Sequence, residues 1–132
     1  MLYVPYSTFL SLYKEALDHN DAELYIAELW YQEWWMKDYT DNQILDILST
    51  TFRIANMNFS ELRKLTGLSV SNLEIKYGIS KRTYEKWESK EREPSMYTKV
   101  LFSYALFLEM LNKDVKQDAY DRKQKGEKHE KL

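Results

Sequence analysis

Residues 77–94 read YGISKRTYEKWESKEREP, a pattern typical of a sharp turn, a short helix and a polar loop. Gly78 supplies the positive φ that a sharp bend requires. Ser80 is a favoured N-cap residue, so a helix is predicted over about residues 81–89. Pro94 closes the loop that follows. The stretch therefore predicts a short helix held at a fixed angle to whatever precedes it.

A second short helix is predicted immediately before the turn, over residues 70–77. Five apolar or aromatic side chains are spaced to hold the two helices together: Leu73, Tyr77, Ile79, Tyr84 and Trp87. A third short helix, FSELRKLT at residues 59–66, ends at Gly67, which suits a left-handed C′ position. Two short helices joined by a tight glycine turn form a helix-turn-helix unit.

Cations occupy the free face of the helix after the turn. When Tyr84 and Trp87 face inward, the basic side chains of that helix must face outward near its N-terminus: Lys81, Arg82 and Lys86. A recognition helix presents its first turns to base edges in the major groove in this way. Lys90 and Arg92, in the loop beyond, are placed to meet phosphates. These residues predict a surface that binds double-stranded DNA.

The run from Phe59 to Leu108, about 50 of the 132 residues, resembles the XRE, or Cro-and-repressor, helix-turn-helix family. The matching elements follow one another in the family's order and spacing: Leu62-Arg63, Gly67-Leu68-Ser69, Tyr77-Gly78-Ile79, Arg82-Thr83, Trp87-Glu88, Arg92 and Pro94. The resemblance implies an all-α DNA-binding domain that works as a homodimer.

The resemblance also implies roles for individual residues. Base contacts fall on four residues of the third helix of the family: Lys81, Arg82, Thr83 and Lys86. Phosphate contacts are predicted at five positions: Ser69, Ser71, Ser80, Lys90 and Arg92. The structural positions of the unit are Gly67, Leu73, Gly78, Ile79, Tyr84 and Trp87.

The chain departs from the family pattern at three places. Val70 stands where a glutamine usually touches the DNA backbone. Glu74 stands where a small residue usually packs between the helices, so that either the packing changes or the side chain swings outward. The glycine that often follows the Trp-Glu pair is replaced by Ser89-Lys90.

Composition excludes several classes of function. The chain has no cysteine and two histidines, so no disulfide, thiolate metal site or cysteine nucleophile is expected. No phosphate-binding glycine loop or catalytic triad pattern occurs, and we expect neither an enzyme nor a bound cofactor. No signal peptide and no membrane span are predicted, which favours a cytoplasmic protein.

Charge divides the chain unevenly. Residues 1–59 hold three Lys and Arg against nine Asp and Glu, a charge of −6, whereas residues 60–99 hold nine against six, a charge of +3. We predict three parts: a helical extension over residues 1–57, the DNA-binding domain over 58–112, and a charged, flexible tail over 113–132. The fold class expected is all-α, an XRE-like helix-turn-helix domain preceded by an acidic, aromatic-rich helical extension.

Four further helices are predicted outside the short ones. The first is capped by Ser7 or Thr8, the second runs over residues 22–37, the third is capped by Asp41, and the last is capped by Ser95. Apolar residues go most of the way round the last helix, which predicts burial between two elements or a dimer contact.

The acidic extension would be repelled by DNA and must face away from it or towards another protein. Its candidate partner surface consists of Glu28, Trp30, Glu33 and Trp34. Two functions follow. The first is a bacterial or phage transcriptional repressor that regulates its own gene as a homodimer. The alternative is an inhibitor protein of a phage or mobile element, resembling an anti-CRISPR protein, or an antitoxin, whose acidic half binds a protein partner.

Overall fold

The structure is a computed structural model that describes residues 2–112. That part of the chain is all-α, as predicted, and contains no β-strand. Its helices are α1 (Tyr6–Leu17), α2 (Ala22–Leu29), α3 (Glu33–Met36), α4 (Asp41–Ala55), α5 (Phe59–Thr66), α6 (Val70–Tyr77), α7 (Lys81–Glu88) and α8 (96–112). The predicted charged tail, residues 113–132, lies outside the described residues.

The N-terminal helices pack around α4. Helix α1 lies against α4, and α2 packs on both of them. Tyr25 of α2 is fully buried there, and its hydroxyl donates to the backbone carbonyl of Leu12 at 2.8 Å. Its ring lies 5.5 Å from that of Phe52 on α4. A buried tyrosine that satisfies its hydroxyl in this way fixes the angle at which α2 crosses the other two helices.

Helix α8 joins the two halves of the molecule. Phe107 packs on Phe9 of α1 with ring centroids 4.7 Å apart, while Phe102 stacks on Phe59 of α5 at 5.6 Å. A single cluster of buried side chains therefore extends from α1 through α8 to α7. This accounts for the apolar residues around most of α8, because two different sets of helices cover it.

The extended segment before α1 is tied down at several points. Leu2 and the side-chain amide of Asn112 exchange hydrogen bonds, with the Leu2 N–H donating at 2.9 Å and the Leu2 carbonyl accepting at 3.1 Å. The hydroxyls of Tyr104 and Tyr39 donate to the carbonyls of Val4 and Tyr3. The start of the described chain is thus held along α8.

The prediction of one helix over residues 22–37 is wrong. Trp30 has an extended backbone and Tyr31 has φ 71°, so α2 stops and α3 starts afresh after Gln32. Gln32 secures the break, since its side-chain oxygen accepts from Nε1 of Trp35 at 2.8 Å. The physical reason is packing: a straight helix would spread its aromatic residues around the whole surface, whereas the break turns Trp35 into the core.

Two predicted caps also differ from the structure. Helix α1 begins at Tyr6 after Pro5, without any side-chain cap from Ser7 or Thr8. Proline suits this place because its φ is already helical and it has no N–H to satisfy. Helix α4 is capped by Thr40, one residue before the predicted Asp41, and Thr40 forms a reciprocal capping box with Gln43.

Candidate nucleic-acid interface

The turn between α6 and α7 has the geometry that its sequence predicts. Helix α6 ends at Gly78, which has φ 75°, and Ser80 begins α7 by accepting the Thr83 N–H at 3.2 Å. Leu73 is fully buried between the helices, and Ile79 is half-buried at the corner. Gly67 likewise ends α5, with φ 68°. The three helices are therefore separated by local turns that fix their directions.

An aromatic cluster holds α7 against the rest of the molecule. Tyr84 is 1% exposed, and its ring meets Trp87 at 5.4 Å and Phe102 of α8 at 5.9 Å. Trp87 also packs on Phe59 at 4.7 Å. Burial raises the pKa of Tyr84 to about 12, so its hydroxyl stays neutral at every ordinary pH. These contacts fix which face of α7 points to solvent.

An ion pair links α5 to the end of α7. The guanidinium of Arg63 binds the carboxylate of Glu88, and this hydrogen bond raises the pKa of Arg63 above its usual value. Glu88, the last residue of α7, is therefore paired with a cation from another helix. The same arrangement adds a directional contact to the aromatic packing beneath α7.

The five predicted DNA-contacting cations have no salt-bridge partner within the described structure. Four of the five are exposed and one, Lys86, is half-buried. The exposed ones are Lys81, Arg82, Lys90 and Arg92. None of the five forms an ion pair with an acid of residues 2–112, although Arg63 and Lys76 do. Residues 81–93 also hold four Glu, so the formal charge of the helix and its loop is +1. A cation without an acidic partner is available to a phosphate.

The predicted hydroxyl contacts divide into capping and exposed groups. Ser69 accepts the Asn72 N–H at 3.2 Å and caps α6, and Ser80 caps α7. The Ser80 and Thr83 hydroxyls also bond to each other at 2.7 Å, and Thr83 is half-buried. Ser71 is exposed on α6. The hydroxyl protons of Ser69 and Ser71 have no acceptor among the described residues, and whichever hydroxyl of the Ser80–Thr83 pair accepts also keeps its proton free.

Glu74 swings outward, which is one of the two outcomes that its position allows. Its carboxylate accepts the backbone N–H of Lys81 at 3.0 Å and so caps the first turn of α7. A carboxylate is stabilising at a helix N-terminus, where the unpaired N–H groups create a partial positive charge. The bond takes up the Lys81 N–H, which is one of the donors that a helix N-terminus can offer to an anion. The departure of Glu74 from the XRE pattern was evident in the sequence, but its bond to Lys81, seven residues away, was not predicted.

The loop after α7 folds back on the helix. Lys90 has φ 65°, a left-handed conformation at the place where the resemblance expects a nearby glycine. Its N–H donates to the Trp87 carbonyl at 3.2 Å, and the Arg92 N–H donates to the Lys86 carbonyl at 3.3 Å. These bonds bring the backbone of the predicted phosphate-contacting loop next to the last turn of α7.

The candidate partner surface of the acidic half is only partly assembled. Trp30 and Glu33 line one groove, whereas Trp34 is 58% exposed and does not line it. Glu28 instead pairs with His19. The prediction missed Tyr31, which lines the same groove and is 87% exposed. The aromatic run WYQEWW at residues 30–35 could have indicated an exposed aromatic surface, but the prediction of a continuous helix through it placed Tyr31 wrongly.

No protein-family model matches this chain, and comparison with curated proteins and with solved structures gives no match either. Within residues 2–112, no three His, Asp or Glu side chains converge on a point where a metal ion would be held. The helices of that same part are all too short or too polar to cross a bilayer.

Proposed function

We propose that the chain is a sequence-specific DNA-binding repressor in which α6 and α7 act as an XRE-like helix-turn-helix. The observation that carries the proposal is the set of five cations on α7 and its loop, none of which is paired with an acid of the described residues. The aromatic packing beneath α7 supports it, because a recognition helix must be held rigidly to read bases.

In this proposal the side chains of α7 read bases and the loop binds phosphates. Lys81 and Arg82 enter the major groove from the first turn of α7, with Lys86 one turn further along. Lys90 and Arg92 fix the register by neutralising phosphates on one strand. Ser69 and Ser71 add neutral hydrogen bonds to the backbone from the start of α6.

Glu74 and Val70 determine how this chain differs from its family pattern. Glu74 already satisfies the Lys81 N–H, so the first turn of α7 has less positive charge to offer a phosphate. Val70 has no hydrogen-bonding side chain for the DNA backbone. Binding in this proposal therefore depends on the cationic side chains more than on helix N-termini, and it should be strongly weakened by salt.

We further propose that the chain binds DNA as a homodimer, with two recognition helices in successive major grooves. Exposed apolar side chains at the start of α8 support this: Met96, Tyr97 and Leu101. They follow directly after the loop that contains Arg92, so a contact between two copies there would place two α7 helices near one another. The corresponding operator has two related half-sites, in the DNA upstream of the protein's own gene.

The test is a double substitution of Lys81 and Arg82 with Ala, measured by titration against that upstream DNA. Each bidentate base contact is worth about 1–3 kcal/mol, so we expect specific affinity to fall roughly 30-fold or more. The matched control is Lys14→Ala with Arg53→Ala, which removes one Lys and one Arg from exposed sites in the acidic half. Equal losses in both variants, or unchanged operator binding in the first, would overturn the proposal.

A second titration separates phosphate contacts from base contacts. Replacing Lys90 and Arg92 with Gln should weaken binding to all duplexes alike and reduce the salt slope of log K by about 2 per bound chain. Sequence preference should survive this change, because the base-reading residues are intact. A lost preference with an unchanged salt slope would reverse the roles assigned to the loop and to α7.

A further inference from the structure

Two grooves flank Trp30 on the side of the molecule built from α2, α3 and α4. The first has a volume of about 460 Å³ and is lined by Glu23, Ile26, Ala27, Trp30 and Leu45. The second has a volume of about 300 Å³ and lies between Trp30, Tyr31 and the start of α4. Half-buried Trp30 forms the ridge between them. We refer to Trp30, Tyr31, Glu23, Glu33 and Leu45 as the Trp30 surface.

Trp30 packs partly on the core, but the exposed ring of Tyr31 is not explained by the stability of the chain itself. Tyr31 is 87% exposed and has φ 71°, a backbone conformation that is unfavourable for a residue with a side chain. Trp34 is exposed nearby, and Leu45 is exposed on α4 although α4 buries its neighbours Ile44 and Ile47. Strained backbone conformations cluster at functional sites, and exposed apolar patches mark interaction sites.

The acidic residues around the Trp30 surface indicate which partners it attracts. Residues 21–46 hold seven Asp and Glu and one Lys, a formal charge of −6. Three of these acids line the grooves themselves, Glu23, Glu33 and Asp41, and so does Lys37, which leaves the linings with a net formal charge of −2. An acidic rim repels nucleic acid and anionic membrane surfaces, and it favours a partner that brings positive charge.

We propose that the Trp30 surface binds a protein partner through a basic amphipathic helix. Apolar side chains of that helix enter the two grooves on either side of Trp30, in the manner of a helix in a hydrophobic groove. Its Lys and Arg residues meet Glu23, Glu33 and Asp41, and an Arg gains a further attraction over the exposed rings of Tyr31 and Trp34.

The site is independent of DNA binding. Its residues lie on α2 to α4, whereas the proposed DNA contacts lie on α6, α7 and the following loop. The two activities therefore have separate tests. The variant with Lys81 and Arg82 replaced by Ala should keep its affinity for the partner helix unchanged.

The experiment uses the full chain and a synthetic helical peptide with Leu on one face and Lys on the other, measured by isothermal titration calorimetry. We expect saturable binding with one peptide per chain, and no binding of a peptide in which Glu replaces each Lys. Tyr31→Ala, Leu45→Ala and Glu33→Lys should each weaken binding at least fivefold. All three sites are exposed, and circular dichroism checks that each variant is folded.

The controls match these changes elsewhere on the acidic half. Leu17→Ala removes a comparably exposed leucine, and Asp18→Lys makes the same change in net charge as Glu33→Lys. Neither should change peptide affinity by more than twofold. Absence of binding, or equal losses in the controls, overturns the proposal. Self-association of the wild-type chain that Tyr31→Ala abolishes overturns it too, by assigning the surface to a second copy.

Discussion

The basic region of α6 and α7 and the acidic region of α2 and α3 differ in how their structure is specified. Helices α6 and α7 each begin at a capping serine, and α6 ends at the left-handed Gly78, so local chemistry sets these three ends. The end of α7 has no glycine, and Lys90 takes the left-handed conformation just after it. The break between α2 and α3 has no glycine, and Tyr31 takes the left-handed conformation instead. Turns determined by their own residues can be predicted from sequence, whereas a turn imposed by packing cannot.

The two regions also use aromatic residues in opposite ways. Tyr84 is buried to orient α7, which leaves the cations free on the other face, whereas Tyr31 is displayed to solvent. In the basic region, buried aromatic rings support exposed cations. In the acidic region, exposed aromatic rings lie among acidic side chains. Stability measurements on variants of the two regions test both differences.

The largest expected difference in stability is between the variants that lack Tyr84 and Tyr31, one tyrosine from each region. Tyr84→Ala should destabilise the fold by about 3–5 kcal/mol, because it empties a buried site between Trp87 and Phe102. Tyr31→Ala should change stability by less than about 0.5 kcal/mol, since its ring is exposed. Urea unfolding followed by circular dichroism measures both. Similar losses in the two variants would show that the contrast in burial is wrong.

A smaller effect is expected from the ion pair beneath α7. Arg63→Ala and Glu88→Ala in a double-mutant cycle should give a coupling free energy of about 1 kcal/mol, because the pair is partly exposed and screened. The same cycle applied to Lys86 and Glu91 serves as the control, since these residues form no ion pair in the described structure. Additive effects for Arg63 and Glu88 would contradict the link between α5 and α7.

A comparison of glycine with alanine measures backbone strain in both regions. At Tyr31 and at Lys90 the Gly variant should be more stable than the Ala variant by about 1 kcal/mol, because Ala is strained at positive φ. Thermal unfolding of the four variants provides the values. Ala variants as stable as the Gly variants would mean that one or both turns do not adopt the left-handed conformation.

The smallest effect is the pH dependence of the acidic region. The hydrogen bond to Glu28 raises the pKa of His19 above its unfolded value, so this contribution to stability is complete below about pH 6.5. It is lost as the pH rises through the folded pKa. The thermal midpoint should therefore fall across this range by more in the wild type than in Glu28→Gln, measured by differential scanning calorimetry. Parallel curves for the two proteins would exclude the pair.

The sequence was sufficient for the fold class and for most helix ends from Asn58 onward. Asn58, Ser69, Ser80 and Ser95 each accept a backbone N–H at the start of a helix, and these bonds involve residues three apart. Such contacts are local, and single-sequence patterns can reveal them. The aromatic set around Tyr84 could also be anticipated, because its members on α7 are spaced three residues apart.

Other features depended on contacts between distant residues. Leu45 of α4 is apolar, yet it is exposed and lines a groove beside α2 rather than the core. The bond from Lys81 to Glu74 and the pairing of Glu28 with His19 also require the tertiary arrangement. Helical periodicity indicates which residues share a face, but not which neighbouring helix covers that face.

The most direct test of the central claim is a fluorescence titration of the wild-type chain against the DNA upstream of its gene. A scrambled duplex of the same composition is titrated alongside, at several salt concentrations. We expect a clear preference for the upstream duplex and an affinity that falls steeply as salt rises. Weak and equal binding to both duplexes would contradict it, and would mean that the cations of α7 do not read DNA.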